Sequence, residues 1–179
     1  MLYLLYDDIR CVSLHVPFST VAYREFQDRY KFVTILREPV SRFISHYNWS
    51  SRRPGSHGYI QEDFDTFLTS ERASRMGAEY VEIFADFPND ADIRAPEAVS
   101  AAIQNLKNFD VVGRLDDLGG FSDALKRELG IRVKIGHENK AHDSTNMVAG
   151  SALTDDQKKA VQDICAPDIT VWQGIFSDG

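Results

Sequence analysis

The sequence is poor in cysteine, and its first 54 residues contain no glycine. Cys11 and Cys165 are the only cysteines among 179 residues, and they lie far apart in apolar surroundings. This number and spacing exclude a disulfide-dense scaffold and a cysteine-ligated metal site, so we expect two free thiols. The first glycine is Gly55. No glycine-rich phosphate-binding loop can therefore precede that residue in these 179 residues.

An excess of positive charge is also missing. The formal net charge of −7 argues against a general nucleic-acid binder, which normally carries a basic face. The same charge makes a heavily sulfated polyanion a less favourable substrate. Arg52 and Arg53, with His57 nearby, form the one local basic patch. A solvated loop is the favoured interpretation of that patch.

Long hydrophobic runs are absent. The apolar opening Met1–Tyr6 is cut short by two aspartates and has no basic residue before it, so we expect neither a signal peptide nor a membrane span. A length of 179 residues with 43% hydrophobic and 26% charged residues indicates one globular domain, residues 1–179. A cytoplasmic location is expected, or the Golgi lumen if the chain is a fragment of a membrane-anchored enzyme.

One segment combines two different hydrophobic periods. Residues 32–36 read FVTIL, the composition of a buried strand. After them, apolar residues follow the spacing of an amphipathic helix, at Val40, Phe43, Ile44 and Tyr47. Pro39 suits the first position of that helix, where its missing N–H costs nothing. The segment therefore predicts a strand, a tight turn and a helix.

This arrangement favours an anion site. A helix start presents free N–H groups and the positive end of a dipole. Arg37 follows the strand, and its guanidinium can hold a phosphate through two hydrogen bonds. Ser41 and Ser45 lie one helical turn apart beside the apolar stripe. A phosphate held by Arg37 and a serine hydroxyl is therefore expected.

The order Arg-x-Pro-x-x-Arg-x-x-Ser-x-Tyr, from Arg37 to Tyr47, resembles a family signature. It is similar to the 3′-phosphate-binding segment of sulfotransferases that use 3′-phosphoadenosine 5′-phosphosulfate (PAPS), in particular the carbohydrate 2-O-sulfotransferase-like branch. The resemblance implies that Arg37 and Ser45 bind the 3′-phosphate of PAPS, with Ser41 and Arg42 in the same cofactor-binding set. An ordinary strand-to-helix joint with solvated charges is the alternative interpretation.

The resemblance also implies a catalytic base and a further phosphate contact. His15 lies at the end of the short apolar segment 11–14 and matches the strand-end histidine that acts as the base in this family. An imidazole that titrates near neutrality can accept the proton of an attacking hydroxyl. A histidine that only packs or caps a strand is the alternative. Lys140 lies in a polar segment that corresponds to the loop closing over the nucleotide, and it is expected to neutralise a phosphate.

The implied fold is α/β, with a P-loop-like parallel sheet flanked by helices. A second core strand is predicted at 109–113, and a final helix is predicted from Thr154 to Pro167, followed by a short helix at 168–176. The glycine- and lysine-containing loop that holds the 5′-phosphosulfate in the family is missing before Arg37. We therefore expect a chain that lacks the first βα unit of the domain and begins after this loop. A divergent, inactive relative is the alternative.

The predicted function is transfer of a sulfuryl group from PAPS to a hydroxyl, expected on a carbohydrate. The co-substrate is PAPS, the partner is a carbohydrate or other hydroxyl acceptor, and no metal or nucleic acid is required. A metal site at His137, Glu138 and His142 is disfavoured because the spacing differs from that of zinc hydrolases. A non-catalytic module that recognises phosphate or another protein is the rival hypothesis.

Overall fold

The segment with two hydrophobic periods forms the predicted strand and helix. A computed structural model describes residues 16–88, 90–130 and 148–177, and within these the chain is mixed α/β and mostly helical. The elements are α1 Thr20–Phe26, β1 Val33–Leu36, α2 Pro39–Ser51, α3 Phe64–Leu68, α4 Glu71–Met76, α5 Glu79–Phe84, α6 Pro96–Lys107, β2 Val111–Arg114, α7 Leu118–Leu129 and α8 Asp155–Phe176. A single 3₁₀ turn, Gly150–Ala152, precedes α8.

The two described strands form one parallel pair. Val33 of β1 lies opposite Val111 of β2, and the register runs to Leu36 opposite Arg114. Both strands therefore end at the same edge, which in open α/β sheets is where ligands bind. The predicted second strand is confirmed, but it does not end at Gly113. A Cβ at this position would lie 2.1 Å from the ring of Phe121, so the missing side chain lets α7 pack directly on the sheet.

Helix α2 buries the predicted apolar stripe. Phe43 is fully buried, its ring lies 5.9 Å from that of Phe67 in α3, and Tyr47 packs against Phe64 and Phe67. The composition of residues 48–59 predicts a connecting loop from Asn48 to Tyr59, but the helix continues to Ser51, so this prediction is wrong for four residues. The buried Asn48 side chain explains the difference. It donates to the carbonyl of Val148 at 2.8 Å and accepts from the N–H of the same residue at 2.9 Å.

Two apolar clusters form the core, and α8 contributes to both. The first surrounds α5 and α6 and includes Val171 of α8. The second surrounds α2, α3 and α4 and includes Val161 and Cys165 of α8. The thiol of Cys165 is free, and burial raises its pKa to about 12. Helix α8 is therefore the element that joins the two halves of the core.

Pro167 does not end α8, so the prediction of two C-terminal helices is wrong. A proline inside a helix leaves the carbonyl four residues earlier without its donor, here that of Asp163. Arg94 replaces the donor: its guanidinium lies 3.0 Å from the Asp163 carbonyl oxygen and 2.9 Å from that of Ile164. The helix can continue because an arginine from outside it satisfies these carbonyls.

The ends of three other helices agree with the sequence pattern. The sequence predicts a helix start at Pro96 and a helix end at Gly130, and the structure confirms both, together with the Thr154 cap of α8. Helix α4 was not predicted.

Some predictions fall outside the described residues. These are the segment 11–14, His15, Lys140 and the disfavoured metal set at 137–142. None of the helices within the described ranges combines the length and apolar character needed to cross a bilayer.

We expect Arg94→Ala to destabilise the protein by about 2 kcal/mol, because it leaves carbonyls of α8 without donors. The free energy of unfolding, measured by urea denaturation, tests this. The matched control is Arg24→Ala, which removes the same charge from an exposed position on α1 and should change stability by less than about 0.5 kcal/mol. An equal change in both variants would contradict the role assigned to Arg94.

Candidate functional site

Arg37 lies at the edge where both strands end. It follows the last residue of β1, and the chain after β2 is joined to the same place by a 2.7 Å bond from the N–H of Leu115 to the carbonyl of Leu36. Arg37 is exposed, and its side chain has no hydrogen bond or ion pair within residues 16–88, 90–130 and 148–177. Its guanidinium is therefore available to an anion in this part of the chain.

The backbone of Arg37 is held by one side chain. The hydroxyl of Tyr80 accepts from the Arg37 N–H at 2.8 Å and donates to the Arg37 carbonyl at 2.5 Å. Tyr80 is buried, and burial raises the pKa of its hydroxyl to about 12, so the group stays a neutral donor and acceptor. The tyrosine fixes the strand end while leaving the guanidinium free.

The N–H groups at the start of α2 are not free, contrary to expectation. Glu38 caps the helix, and its carboxylate accepts from the N–H of Val40 at 3.0 Å and of Ser41 at 2.7 Å. Pro39 has no N–H to offer. An anion at this site must therefore be bound by side chains, because the carboxylate of the chain itself already occupies the helix terminus.

The predicted serines lie on the solvent side of α2. Ser41 is exposed and Ser45 is half-buried, and neither hydroxyl has a partner within the described ranges. The positions i, i+4 and i+8 continue the row to Trp49, which is 45% exposed. The guanidinium of Arg53 lies 4.2 Å from the ring of Trp49. The row thus combines two hydroxyls with an exposed aromatic ring and a cation.

Arg42, the second arginine of the motif, turns the other way. Its guanidinium pairs with Glu79 and Asp168, donates to the Met76 carbonyl at 2.6 Å, and lies 5.0 Å from the ring of Tyr80. The side chain is only 12% exposed. Two carboxylates in the interior engage the guanidinium of Arg42, so this residue is not part of the phosphate site that we propose.

Asp168 is the fully buried partner in this network. Its carboxylate accepts from Arg42 at 3.0 Å and from the backbone N–H groups of Tyr80 and Val81 at 3.0 and 3.2 Å. Burial raises the pKa of Asp168 to about 7, against the charge of Arg42 and these N–H bonds, which lower it. The residue joins α8 to α2 and α5 at the place where the two apolar clusters meet.

A cavity of about 350 Å³ opens beside the arginine network. Its polar lining consists of His46, Arg72, Arg75, Glu79 and Glu82, and its apolar lining includes Pro17, Met76 and Ile83. Sequence reasoning did not identify this site. The sequence offered one signal for this cavity, which is that His46 directly follows Ser45. The other polar residues of the cavity lining come from α4 and α5.

Glu79 links His46 to the buried network. Its carboxylate pairs with Arg42, and the same oxygen lies 3.5 Å from Nδ1 of His46. Burial alone would raise the pKa of Glu79, but the contact with His46 and the charge of Arg42 lower it below its usual range. A neutral His46 that donates from Nδ1 has its lone pair on Nε2.

Two predicted site residues, His15 and Lys140, cannot be placed because they lie outside the described residues. Pro17, two residues after His15, lines the cavity. No cluster of three or more histidine, cysteine or acidic residues that could hold a metal ion occurs in residues 16–88, 90–130 and 148–177.

Comparisons with known proteins do not assign the chain to a family. No protein-family model matches it, and no curated protein matches it. The assignment of function therefore depends on the residues and geometry described above.

We expect Arg42→Met and Asp168→Asn each to lower the free energy of unfolding by about 3 kcal/mol, because Arg42→Met leaves the buried Asp168 without its cation and Asp168→Asn removes one of the two carboxylates that pair with Arg42. The double variant should lose less than the sum, since it removes both charges. Urea denaturation at about pH 8.5, above the pKa of Asp168, measures all three. Strict additivity would show that the two residues do not interact.

Tyr80→Phe should lower stability by about 1–2 kcal/mol, because it removes both hydrogen bonds to the backbone of Arg37. Hydrogen exchange of the Arg37 N–H should accelerate in the same variant. Tyr59→Phe, which alters a half-buried tyrosine outside this network, is the control. Unchanged exchange at Arg37 would contradict the proposed clamp.

Proposed function

We propose that this chain is a PAPS-dependent sulfotransferase that transfers a sulfuryl group to a hydroxyl of a carbohydrate. In this proposal, the parallel pair β1 and β2 belongs to a P-loop-like sheet. The single observation that carries the proposal is an exposed arginine without a partner in the described chain, at the carboxyl edge of a parallel sheet and fixed by Tyr80. The anion is proposed to be the 3′-phosphate of PAPS, because the motif from Arg37 to Tyr47 resembles the segment that binds this phosphate in sulfotransferases.

The 3′-phosphate of the donor is bound by side chains. Arg37 grips it from the strand end, and Ser45, with Ser41 one turn earlier, donates from α2. Glu38 keeps the helix terminus occupied, so it directs the dianion away from the backbone N–H groups and onto the hydroxyls. A guanidinium and a hydroxyl together suit a phosphate because both donate hydrogen bonds and one neutralises charge.

The reaction is an in-line displacement at sulfur. The acceptor oxygen forms the new S–O bond, and the bond from sulfur to the 5′-phosphate oxygen breaks, its electron pair leaving on 3′,5′-ADP. The acceptor proton passes to a base, and the resemblance assigns that role to His15. Positioning and charge stabilisation supply most of the rate, by analogy with phosphoryl transfer, and the proposed mechanism has no metal-dependent step.

Two further residues complete the assignment. Lys140, by the same resemblance, neutralises a donor phosphate. Arg42 has a different role: it holds α2 against α5 and α8, and thereby supports the serines without contacting the nucleotide.

Titration calorimetry of the full chain with 3′,5′-ADP and with 5′-AMP tests the donor site. We expect preference for 3′,5′-ADP, and at least about a tenfold loss of its affinity in Arg37→Ala, because a charge-assisted hydrogen bond to phosphate is lost. Ser45→Ala should cause a smaller loss. Arg24→Ala, which removes the same charge elsewhere, should bind like the unmodified protein.

The outcomes separate the enzyme from its rival. Equal affinity for the two nucleotides, or no binding of either, would overturn the assignment of a PAPS site. Selective binding of 3′,5′-ADP without sulfate transfer to any acceptor, even after a 5′-phosphosulfate-binding loop is joined upstream of Met1, would instead favour a phosphate-recognising module.

A further inference from the structure

The cavity lined by His46 and Glu79 is a second site, adjacent to the proposed phosphate site. His46 directly follows Ser45 on α2, and Glu79 directly precedes Tyr80 on α5. Consecutive helical residues point about 100° apart around the axis. The two sites therefore share the same two helices but use different faces of α2.

The size and lining of the cavity suit a small molecule. Its volume of about 350 Å³ lies within the usual range for ligand sites, about 300–1,000 Å³. Met76, Ile83 and Pro17 offer apolar surface, and the polar groups supply both donors and acceptors. A ring with an apolar face and several hydroxyls at its edge matches this mixture.

The charges in the cavity are already balanced. Its lining contains two guanidinium groups and two carboxylates, so their formal charges cancel. Arg75 pairs with Glu82 at 2.5 Å, and Glu79 pairs with Arg42 behind the cavity wall. Arg72 donates to the backbone carbonyls of Gly58 and Tyr59 at 2.5 and 2.8 Å.

A polyanionic ligand would meet two carboxylates here. It would also have to approach a chain of net charge −7. A neutral ligand pays neither cost, because the paired charges can stay paired and still offer hydrogen bonds to hydroxyl groups.

His46 is the lining residue with a ring nitrogen that has no partner within the described ranges. Its Nδ1 faces Glu79, its side chain is 40% exposed, and no partner for Nε2 is found among the described residues. An imidazole whose Nδ1 carries the proton and faces a carboxylate presents an acceptor at Nε2. That acceptor suits a hydroxyl donor.

We propose that this cavity binds a neutral, polyhydroxylated sugar ring, with a ring hydroxyl donating to Nε2 of His46. The identification of this sugar as the acceptor rests on the proposed function, whereas the binding site itself does not. Pro17, which lines the cavity, lies two residues after His15 in the sequence, and His15 is the residue assigned as base.

A glycan array probed with the full chain tests the proposal. The array carries neutral oligosaccharides ending in hexoses or N-acetylhexosamines, together with their sulfated and uronate-containing counterparts. We expect binding to neutral members, about tenfold weaker in both His46→Ala and His46→Phe. The phenylalanine variant keeps a ring in place and removes only the acceptor. His57→Ala, at an exposed loop position outside the cavity, should bind normally.

Binding only to anionic glycans, binding to none, or equal binding by the His46 variants would overturn the proposal. Calorimetry with 3′,5′-ADP on the same proteins separates a failure of the sugar-site proposal from a failure of the proposed PAPS site. Arg37→Ala should weaken nucleotide binding and leave neutral glycan binding unchanged, and the His46 variants should do the reverse. Glycan binding without nucleotide binding would overturn the sulfotransferase assignment and leave the sugar site standing.

Discussion

The buried pair of Arg42 and Asp168 is the interaction on which the rest of the structure depends. It joins α2 to α8, and Asp168 also fixes α5 through the N–H groups of Tyr80 and Val81. Removing two charges from water is costly unless each is well satisfied. Here the carboxylate of Asp168 accepts four hydrogen-bond contacts from three residues. The pair therefore specifies how α2, α5 and α8 pack, which apolar contacts alone would do less precisely.

Both candidate sites are built outward from this pair. On one side, Tyr80 is bound to Asp168 through its N–H and holds the backbone of Arg37 through its hydroxyl. On the other, Glu79 shares one oxygen between Arg42 and His46 and so orients the histidine in the cavity. One charge network thus contacts the residue that holds the backbone of Arg37 at the end of β1 and the residue that faces His46 on α2.

The motif around Arg37 shows where reasoning from the sequence succeeds and where it does not. The strand, the proline start and the apolar stripe of α2 follow from local spacing, and the structure confirms them. The free helix terminus was wrong, because the side chain of Glu38 folds back onto it. Pro167 misled for a related reason: its local effect is to end a helix, and a guanidinium distant in sequence cancels that effect.

The sequence by itself determined the two strands of the parallel pair, the proline start and apolar stripe of α2, and the Thr154 cap of α8, because each depends on residues within one or two turns. It also predicts that Arg37 and Ser45 hold one phosphate between them, and this stays a prediction. Only the tertiary structure decided that Arg42 points inward and that His46 lines a cavity with Glu79. Those outcomes depend on partners 33 to 126 residues away, and no local pattern encodes which distant side chain completes a charge or a hydrogen bond.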